Sequence, residues 1–186
     1  MSASPEVTPP SAPLEPSLRE LLGLILEDRR HNGGSFHLPG VQALVAYRVG
    51  RYRVTLGSGF AYQLVSTIYR LLQRRARNRF GIELHYTATI GRRVRIIHQS
   101  GIVIHNYAVI GDGCWIRQGV TLGSGANYSP EDRPTLGRDV QIGVGAVLVG
   151  AITVGDGARI GPNAVVLTDV AEGATVMPPH SRAMKL

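Results

Sequence analysis

Between residues 90 and 170 the chain places aliphatic residues in a six-residue register, commonly with a glycine directly after them. The hexads include IGDGC at 110–114, VGDGA at 154–158 and IGPNA at 160–164. A fixed short period is typical of a solenoid, in which each unit buries its apolar residues against its neighbours. The pattern therefore predicts a solenoid built from hexads, with the aliphatic residues inside.

The six-residue register is interrupted twice. The step lengthens to eight residues after Ile96 and to fourteen after Leu122, so two residues are inserted within 97–101 and eight extra residues are taken up in a loop over 124–133. Insertions in a repeat array leave the packed wall and gather on a face where ligands bind. We therefore expect function at these two interruptions.

Three helices are predicted ahead of the repeat. Ser17 and Glu20 have the spacing of a capping box, which begins a helix that ends near residues 31–34. Further helices are predicted over 41–53 and 60–79. The last carries an apolar stripe of Leu64, Ile68, Leu71 and Leu72.

The first sixteen residues have a different composition, with five prolines and no hydrophobic period. Such a segment is expected to be disordered. The chain is thus expected to comprise a disordered tail over 1–16, a helical segment over 17–80, a β-helix domain over 81–170 with its loop at 124–133, and a C-terminal tail over 171–186.

Composition narrows the class of protein. The single cysteine, Cys114, occupies a small-residue position of a hexad, so we expect it to pack in the core. The N-terminal residues lack the apolar stretch of a secretory signal, which leads us to expect a cytoplasmic protein.

Net charge is +7, and five arginines crowd residues 70–79. They suit a peripheral contact with acidic lipid or a phosphate-bearing ligand, although a solvated helix face has the same composition. No aromatic residues are interleaved as in nucleic-acid-binding segments, so no nucleic acid partner is expected.

His98 is the candidate for chemistry at the first interruption. A neutral imidazole there can act as a general base on a hydroxyl when its other nitrogen is held. Glu83 lies fifteen residues earlier, about one coil below if three hexads make a coil. The alternative is a surface histidine and an unrelated glutamate. A metal site is not expected, because His85, His98 and His105 have neither cysteine partners nor a recognised ligand spacing.

The hexads, together with IHQSG at 97–101, QGVTLG at 118–123 and IGPNAVVLTDV at 160–170, resemble the serine acetyltransferases. They resemble more closely the short members of that group in exopolysaccharide and colanic-acid biosynthesis. QALVAYR at 42–48 and the pair Glu27-Asp28 extend the resemblance. It implies a mainly β fold, a left-handed parallel β-helix with a small N-terminal helical segment. It also implies a homotrimer that binds acetyl-CoA between neighbouring subunits as a co-substrate, with no covalently bound cofactor.

The resemblance also assigns roles to residues. His98 falls on the catalytic base of the family, and Glu83 falls on the aspartate that orients it, one methylene longer. The acetyl-CoA contacts implied in the same way are Gly123, Ser124, Gly143, Gly161 and Arg182.

The acceptor site departs from the family pattern. Serine acetyltransferases have an aspartate before the histidine, where this chain has Ile97, and its Asp132-Arg133-Pro134 lacks a family histidine. An amino acid needs a carboxylate for its ammonium group, which Ile97 cannot supply, although Asp28 and Arg133 can still hold serine in part. We therefore expect a sugar hydroxyl in polysaccharide biosynthesis as the acceptor. L-Serine is the alternative, and a non-catalytic trimeric binding protein is the alternative from another class.

Overall fold

A computed structural model describes residues 5–125 and 128–179. Three helices come first, α1 (Leu18–His31), α2 (Pro39–Thr55) and α3 (Phe60–Phe80). The predicted capping box is present at α1, where Ser17 accepts from the Glu20 amide and Glu20 accepts from the Ser17 amide. Helix α3 ends at Gly81, whose φ of 63° lies in the left-handed region that favours glycine. The helices are those that the sequence predicts, within two residues at each compared end.

Short parallel strands follow and stack with every third strand as neighbour, so three hexads make one coil. Face 1 contains β1, β4, β7, β10 and β13; face 2 contains β2, β5, β8 and β11; face 3 contains β3, β6, β9, β12 and β14. The strands are β1 (Ile82–Leu84), β2 (Thr89–Ile90), β3 (Arg95–Ile97), β4 (Ile102–Ile104), β5 (Val109–Ile110), β6 (Trp115–Arg117), β7 (Thr121–Gly123), β8 (Thr135–Leu136), β9 (Gln141–Ile142), β10 (Val147–Val149), β11 (Thr153–Val154), β12 (Arg159–Ile160), β13 (Val165–Val166) and β14 (Thr175–Val176).

The aliphatic residue of each hexad points into the β-helix. Ile110 pairs with Leu136 and Leu136 with Val154, so identical positions of successive coils stack inside. Cys114 is buried in the same core, as predicted, and burial raises the pKa of its thiol to about 12. The coils touch closely at their corners, since a β-carbon on Gly111 would lie 2.2 Å from the carbonyl oxygen of Gly137. The β-helix also extends beyond the predicted end at residue 170, because β14 pairs with β12.

A buried ion pair fixes the helical segment to the first coil. The Arg48 Nε of α2 donates to Asp28 of α1 at 2.9 Å, and both side chains are at most 2% exposed. Arg48 Nη1 and Nη2 also donate to the carbonyls of Ile90 and Gly91, at 3.0 and 2.6 Å. Burial raises the pKa of Asp28, and the charge of Arg48 opposes that shift. One guanidinium thus connects two helices with the β-helix.

The apolar stripe predicted for α3 is on the solvent side. Leu64 and Leu71 are 52% and 64% exposed, whereas α3 buries Ser66, Tyr69, Ala76 and Phe80. Close approach to α2 explains this choice, since a β-carbon on Gly50 would lie 2.7 Å from the Tyr69 ring. The face that lets the helices come together is therefore buried instead of the most aliphatic face.

Residues 5–16, the strap, lie against the β-helix, in contrast to the disorder expected for residues 1–16. The Thr8 hydroxyl donates to Asp156 at 2.7 Å, and the Ser11 amide donates to Asp112 at 3.0 Å, with a further bond from the Ser11 hydroxyl. The two aspartates lie at equivalent corners two coils apart, a rise of about 10 Å. Three residues of polyproline II helix, which Pro9 and Pro10 favour, span about 9 Å. The proline-rich segment therefore has the length needed to join these two corners.

We expect the Thr8→Val, Ser11→Ala double variant to free the strap, because hydroxyl bonds to both carboxylates are lost. Amide hydrogen exchange over residues 5–16 should rise about tenfold or more, since hydrogen bonds to charged groups contribute about 1.5–3 kcal/mol each. Hydrogen exchange read by mass spectrometry measures this, with Ser58→Ala as the control at an exposed loop serine. Unchanged exchange in the double variant would show that these bonds do not hold the strap.

The same attachment is expected to depend on pH. Burial acts to raise the pKa of Asp112 and of Asp156, but hydrogen bonds from the strap and from backbone amides outweigh it and lower both pKa values. A lowered pKa in the folded state means that the attachment is present above about pH 4 and is lost as the pH falls through the folded value. The protection factors of the wild-type strap amides, measured by hydrogen exchange against the intrinsic rate at each pH, should therefore fall as the pH drops below about 4.

Candidate active site

His98 lies at an open corner between face 3 and face 1. It follows β3 directly, is exposed, and has a φ of 64°, while Ser100 and Gly101 also have positive φ. A non-glycine residue in this region costs about 1–2 kcal/mol, although histidine is among the types that adopt it more often. The corner is fixed from below, where the Ser100 amide donates to the carbonyl of Phe80. The first predicted interruption thus presents an imidazole to solvent.

A cavity of about 260 Å³ adjoins this imidazole, and we call it the His98 cavity. It lies between β3 and the connection from α1 to α2, and Ile97 forms part of its wall. Asn32 supports that connection by donating to the carbonyls of Asp28 and Val94 and accepting from the Ile96 amide. The cavity is lined by Asn32, Gly33, Leu38, Pro39, Gly40, Val41, Arg95, Ile96, Ile97, His98 and Gln99.

A second cavity, of about 310 Å³, opens further along face 3, and we call it the face 3 groove. Its lining residues are Trp115, Arg117, Gln141, Ile142, Gly143, Val144, Arg159, Ile160, Gly161, Pro162, Thr175 and Met177. Arg95 stands between the two cavities, with its guanidinium 4.4 Å from the centre of the Trp115 ring. One face of the β-helix therefore offers two adjoining concave sites, and His98 is at one of them.

Glu83 is on face 1, in the middle of β1, where it is exposed and pairs with Val103. It lines a separate cavity of about 160 Å³ with Gln73 and Arg77 of α3. Within the described residues, no hydrogen bond joins it to His98. The two lie in adjoining regions, because the Ile102 amide after the corner donates to the carbonyl of Gly81. An orienting role for Glu83 stays a prediction.

The predicted acceptor contacts are not gathered in the His98 cavity, with the exception of Ile97. Asp28 is fully buried and bound by Arg48 through both carboxylate oxygens, at 2.9 and 3.3 Å. This arrangement does not fit the prediction that Asp28 holds the acceptor, because the carboxylate is an internal structural partner. Arg133 is in the 124–133 loop, where its Nη1 donates to the carbonyl of Pro130.

The residues predicted to contact acetyl-CoA fall into two groups. Gly143 and Gly161 line the face 3 groove, and backbone stacking of the coils alone requires glycine at position 143. A β-carbon would lie 2.6 Å from the Pro162 nitrogen at Gly143 and 2.5 Å from the Met177 sulfur at Gly161. Gly123 ends β7 on face 1, and Ser124 follows it. Arg182 lies outside the described residues.

The arginines of α3 that suggested an acidic partner, Arg70, Arg74, Arg75, Arg77 and Arg79, are all exposed. Among the described residues, no helix is long and apolar enough to cross a membrane. A peripheral contact with acidic lipid stays a prediction.

Arg95 and Trp115 are site residues that the sequence pattern does not single out. They pair directly across β3 and β6, at outward positions one coil apart. The six-residue pattern does not restrict outward positions, so it does not show that these two residues are neighbours. The signal that could have found them is the number of residues in this coil, which places Trp115 directly beside Arg95.

Comparisons with known proteins agree with this architecture. Residues 133–168 match the family model described as bacterial transferase hexapeptide (six repeats). The serine acetyltransferase structure from Neisseria gonorrhoeae has a TM-score of 0.72 and 26% sequence identity, over 90% of this chain and 67% of that one. These matches confirm the prediction of a left-handed parallel β-helix with a helical segment in front.

Relatives of higher identity are also named serine acetyltransferase. The Helicobacter pylori strain J99 protein is 42% identical over 139 residues, which is 75% of this chain and 77% of that protein. The protein from Synechococcus elongatus is 40% identical over 139 residues, 75% of this chain but 54% of that protein. The chain therefore spans little more than half of the longer relative and most of the shorter one.

Proposed function

The chain belongs to the serine acetyltransferase family of hexapeptide transferases, and from this premise we propose that it transfers the acetyl group of acetyl-CoA to the hydroxyl of L-serine. The observation that carries the proposal is His98, an exposed imidazole beside a cavity, at the one corner where β3 and β4 are separated by the inserted residues. A general base beside two adjoining cavities suits a reaction in which one cavity binds the acetyl donor and the other binds the acceptor.

The sequence-based preference for a sugar hydroxyl is wrong on the comparisons. Relatives at 40% and 42% identity are named serine acetyltransferase, and so is the similar structure from Neisseria gonorrhoeae. The departures at Ile97 and in the 124–133 loop therefore do not mark a change to a sugar acceptor. The names of the relatives also speak against the non-catalytic alternative.

In the proposed reaction, His98 takes the proton of the serine hydroxyl as its oxygen attacks the thioester carbonyl. The carbon–sulfur bond then breaks, the ester remains on serine, and the imidazolium returns the proton to the departing thiolate of CoA. Glu83 is the proposed group that stabilises the imidazolium, from its exposed position below the corner. His98 thus acts first as base and then as acid.

The face 3 groove is the proposed place for acetyl-CoA. It adjoins the His98 cavity at Arg95, and its exposed Arg117 and Arg159 suit the phosphates of a nucleotide. Gly143 and Gly161 form its floor, and Gly123, Ser124 and Arg182 remain proposed contacts of the same ligand. We further propose a homotrimer, with the donor site completed by a neighbouring subunit, and a cytoplasmic location.

The proposal is tested by thiol release from acetyl-CoA with the purified full-length chain. L-Serine at millimolar concentration is expected to produce free thiol well above acetyl-CoA alone, and mass spectrometry should find O-acetylserine. D-Glucose and a nucleotide sugar serve as control acceptors and should stay at the background rate. Release with the sugars and none with serine would overturn the proposal.

A further inference from the structure

The His98 cavity contains one fixed cation and no acidic side chain among the described residues that line it. The cation is Arg95, placed by the stacking of its guanidinium on Trp115. Arg48, Arg92 and Arg138, by contrast, each bind a carboxylate of the chain. Charge at the cavity is therefore one-sided.

The hydrogen-bond donors of Arg95 are uncommitted. Its Nε is buried without a hydrogen-bond partner, and within the described part of the chain the guanidinium has no carboxylate partner either. Buried donors are paired in the great majority of cases, so an unpaired one at a cavity is available to an acceptor from a ligand. A planar guanidinium with free donors favours a carboxylate, which it can bind through two parallel hydrogen bonds.

The cavity has no comparable partner for an ammonium group, because none of the described side chains that line it is a carboxylate. The residue before His98 is Ile97, whose half-buried aliphatic side chain has no acceptor. Asn32 has the only side-chain amide on the helical wall, and its amide already makes three hydrogen bonds to the backbone. Asp28, the nearest acid of α1, is held by Arg48. An ammonium group in this cavity would therefore meet no negatively charged side chain among the described residues that line it.

We propose that Arg95 binds the carboxylate of the acceptor and that the site takes small hydroxy acids whether or not they carry an α-ammonium group. This rests on the proposed acetyl transfer, in which L-serine is one such hydroxy acid. The carboxylate is held by Arg95, and the hydroxyl is directed to His98, which lines the same cavity. The site therefore selects its acceptor by the carboxylate, which Arg95 binds, and by the hydroxyl, which His98 deprotonates.

Three acceptors separate these features in the thiol-release assay: L-serine, 3-hydroxypropionate without the ammonium group, and ethanolamine without the carboxylate. A site that hydrogen-bonds a substrate group rejects the analogue lacking it by about 10⁴-fold, whereas an unrecognised group costs little. We expect kcat/KM for 3-hydroxypropionate within about tenfold of L-serine, and for ethanolamine at least about 100-fold lower.

Variants locate the effect at Arg95. Arg95→Gln should raise KM for both acids about 100-fold with a smaller change in kcat, because a charged partner is lost. Arg95→Lys should recover part of the KM. Arg74→Gln, at an exposed arginine of α3, is the matched control and should change nothing. Ile97→Asp should raise the preference for L-serine over 3-hydroxypropionate by supplying a partner for the ammonium group.

The outcomes are distinguishable. Acetylation of L-serine with 3-hydroxypropionate inert would overturn the inference and leave the proposed function standing. Acetylation of 3-hydroxypropionate alone would overturn serine as substrate and keep the inference. An unchanged KM in Arg95→Gln, with the variant folded by circular dichroism, would remove Arg95 from the acceptor site. Transfer to none of the three would overturn both.

Discussion

Replacing His98 by asparagine should lower kcat for acetyl transfer to L-serine by about 10²- to 10⁴-fold, the usual contribution of a positioned general base. Asparagine is chosen because it, like histidine, adopts the left-handed backbone region, so the φ of 64° at this corner can be kept. Its amide cannot take the hydroxyl proton. The KM for acetyl-CoA should change little, since the face 3 groove is not altered.

Steady-state thiol release at saturating acetyl-CoA measures this loss. His37→Asn is the matched control, because His37 is also exposed but lies outside the His98 cavity. Wild-type kcat in His98→Asn would mean that another group takes the proton, and the assignment of the base would be lost. A large fall in both variants would instead indicate a general effect of losing a surface imidazole.

Replacing Arg48 by methionine should lower the free energy of unfolding by about 3–5 kcal/mol, the cost of breaking a buried ion pair at one partner. Asp28 would then stay buried without its cation, and the carbonyls of Ile90 and Gly91 would lose their donor. Methionine preserves much of the volume, so the loss reports the unpaired groups instead of a cavity. Urea unfolding followed by circular dichroism measures it.

Two further measurements sharpen this prediction. The difference in unfolding free energy between the wild type and Arg48→Met should become smaller as the pH is lowered from 7 towards 4. Protonation removes the buried charge of Asp28, whose pKa is already raised by burial. The Asp28→Leu, Arg48→Met double variant should recover part of the loss, since an apolar pair can replace a buried ion pair. Arg30→Met, at an exposed arginine of α1, is the control. A loss below about 1 kcal/mol, typical of surface pairs, would contradict the prediction.

The parts of the fold that the sequence predicts are those with a period. The hexads specify strands, coil length and the inward side of each strand, because each unit repeats the same packing problem. For the same reason, the two breaks in register fall between β3 and β4 and between β7 and β8, as the structure shows. The start of α1 follows from a local signal, the capping box of Ser17 and Glu20.

The parts that the sequence does not predict depend on contacts between distant residues. The strap has no period, and its order comes from aspartates more than 100 residues away. The buried face of α3 was decided by the close approach at Gly50. The sequence does not distinguish a ligand-binding aspartate from a structural one. The pairing of Asp28 with Arg48 becomes visible only when α1 and α2 are placed side by side. The proposed acceptor rests on the relatives, because the departures at Ile97 and at Asp132-Arg133-Pro134 suggested a different substrate.

The two anchors of the strap have a consequence for how this chain can change over time. Solenoids commonly gain or lose whole repeats, since each unit contacts only its neighbours. Here Thr8 and Ser11 bind corners separated by a set number of coils, so adding one coil between Asp112 and Asp156 would leave one anchor about 5 Å out of reach. The strap thereby fixes the number of coils between Asp112 and Asp156. We expect related chains to gain or lose coils on the C-terminal side of Asp156 more readily than between the two anchors.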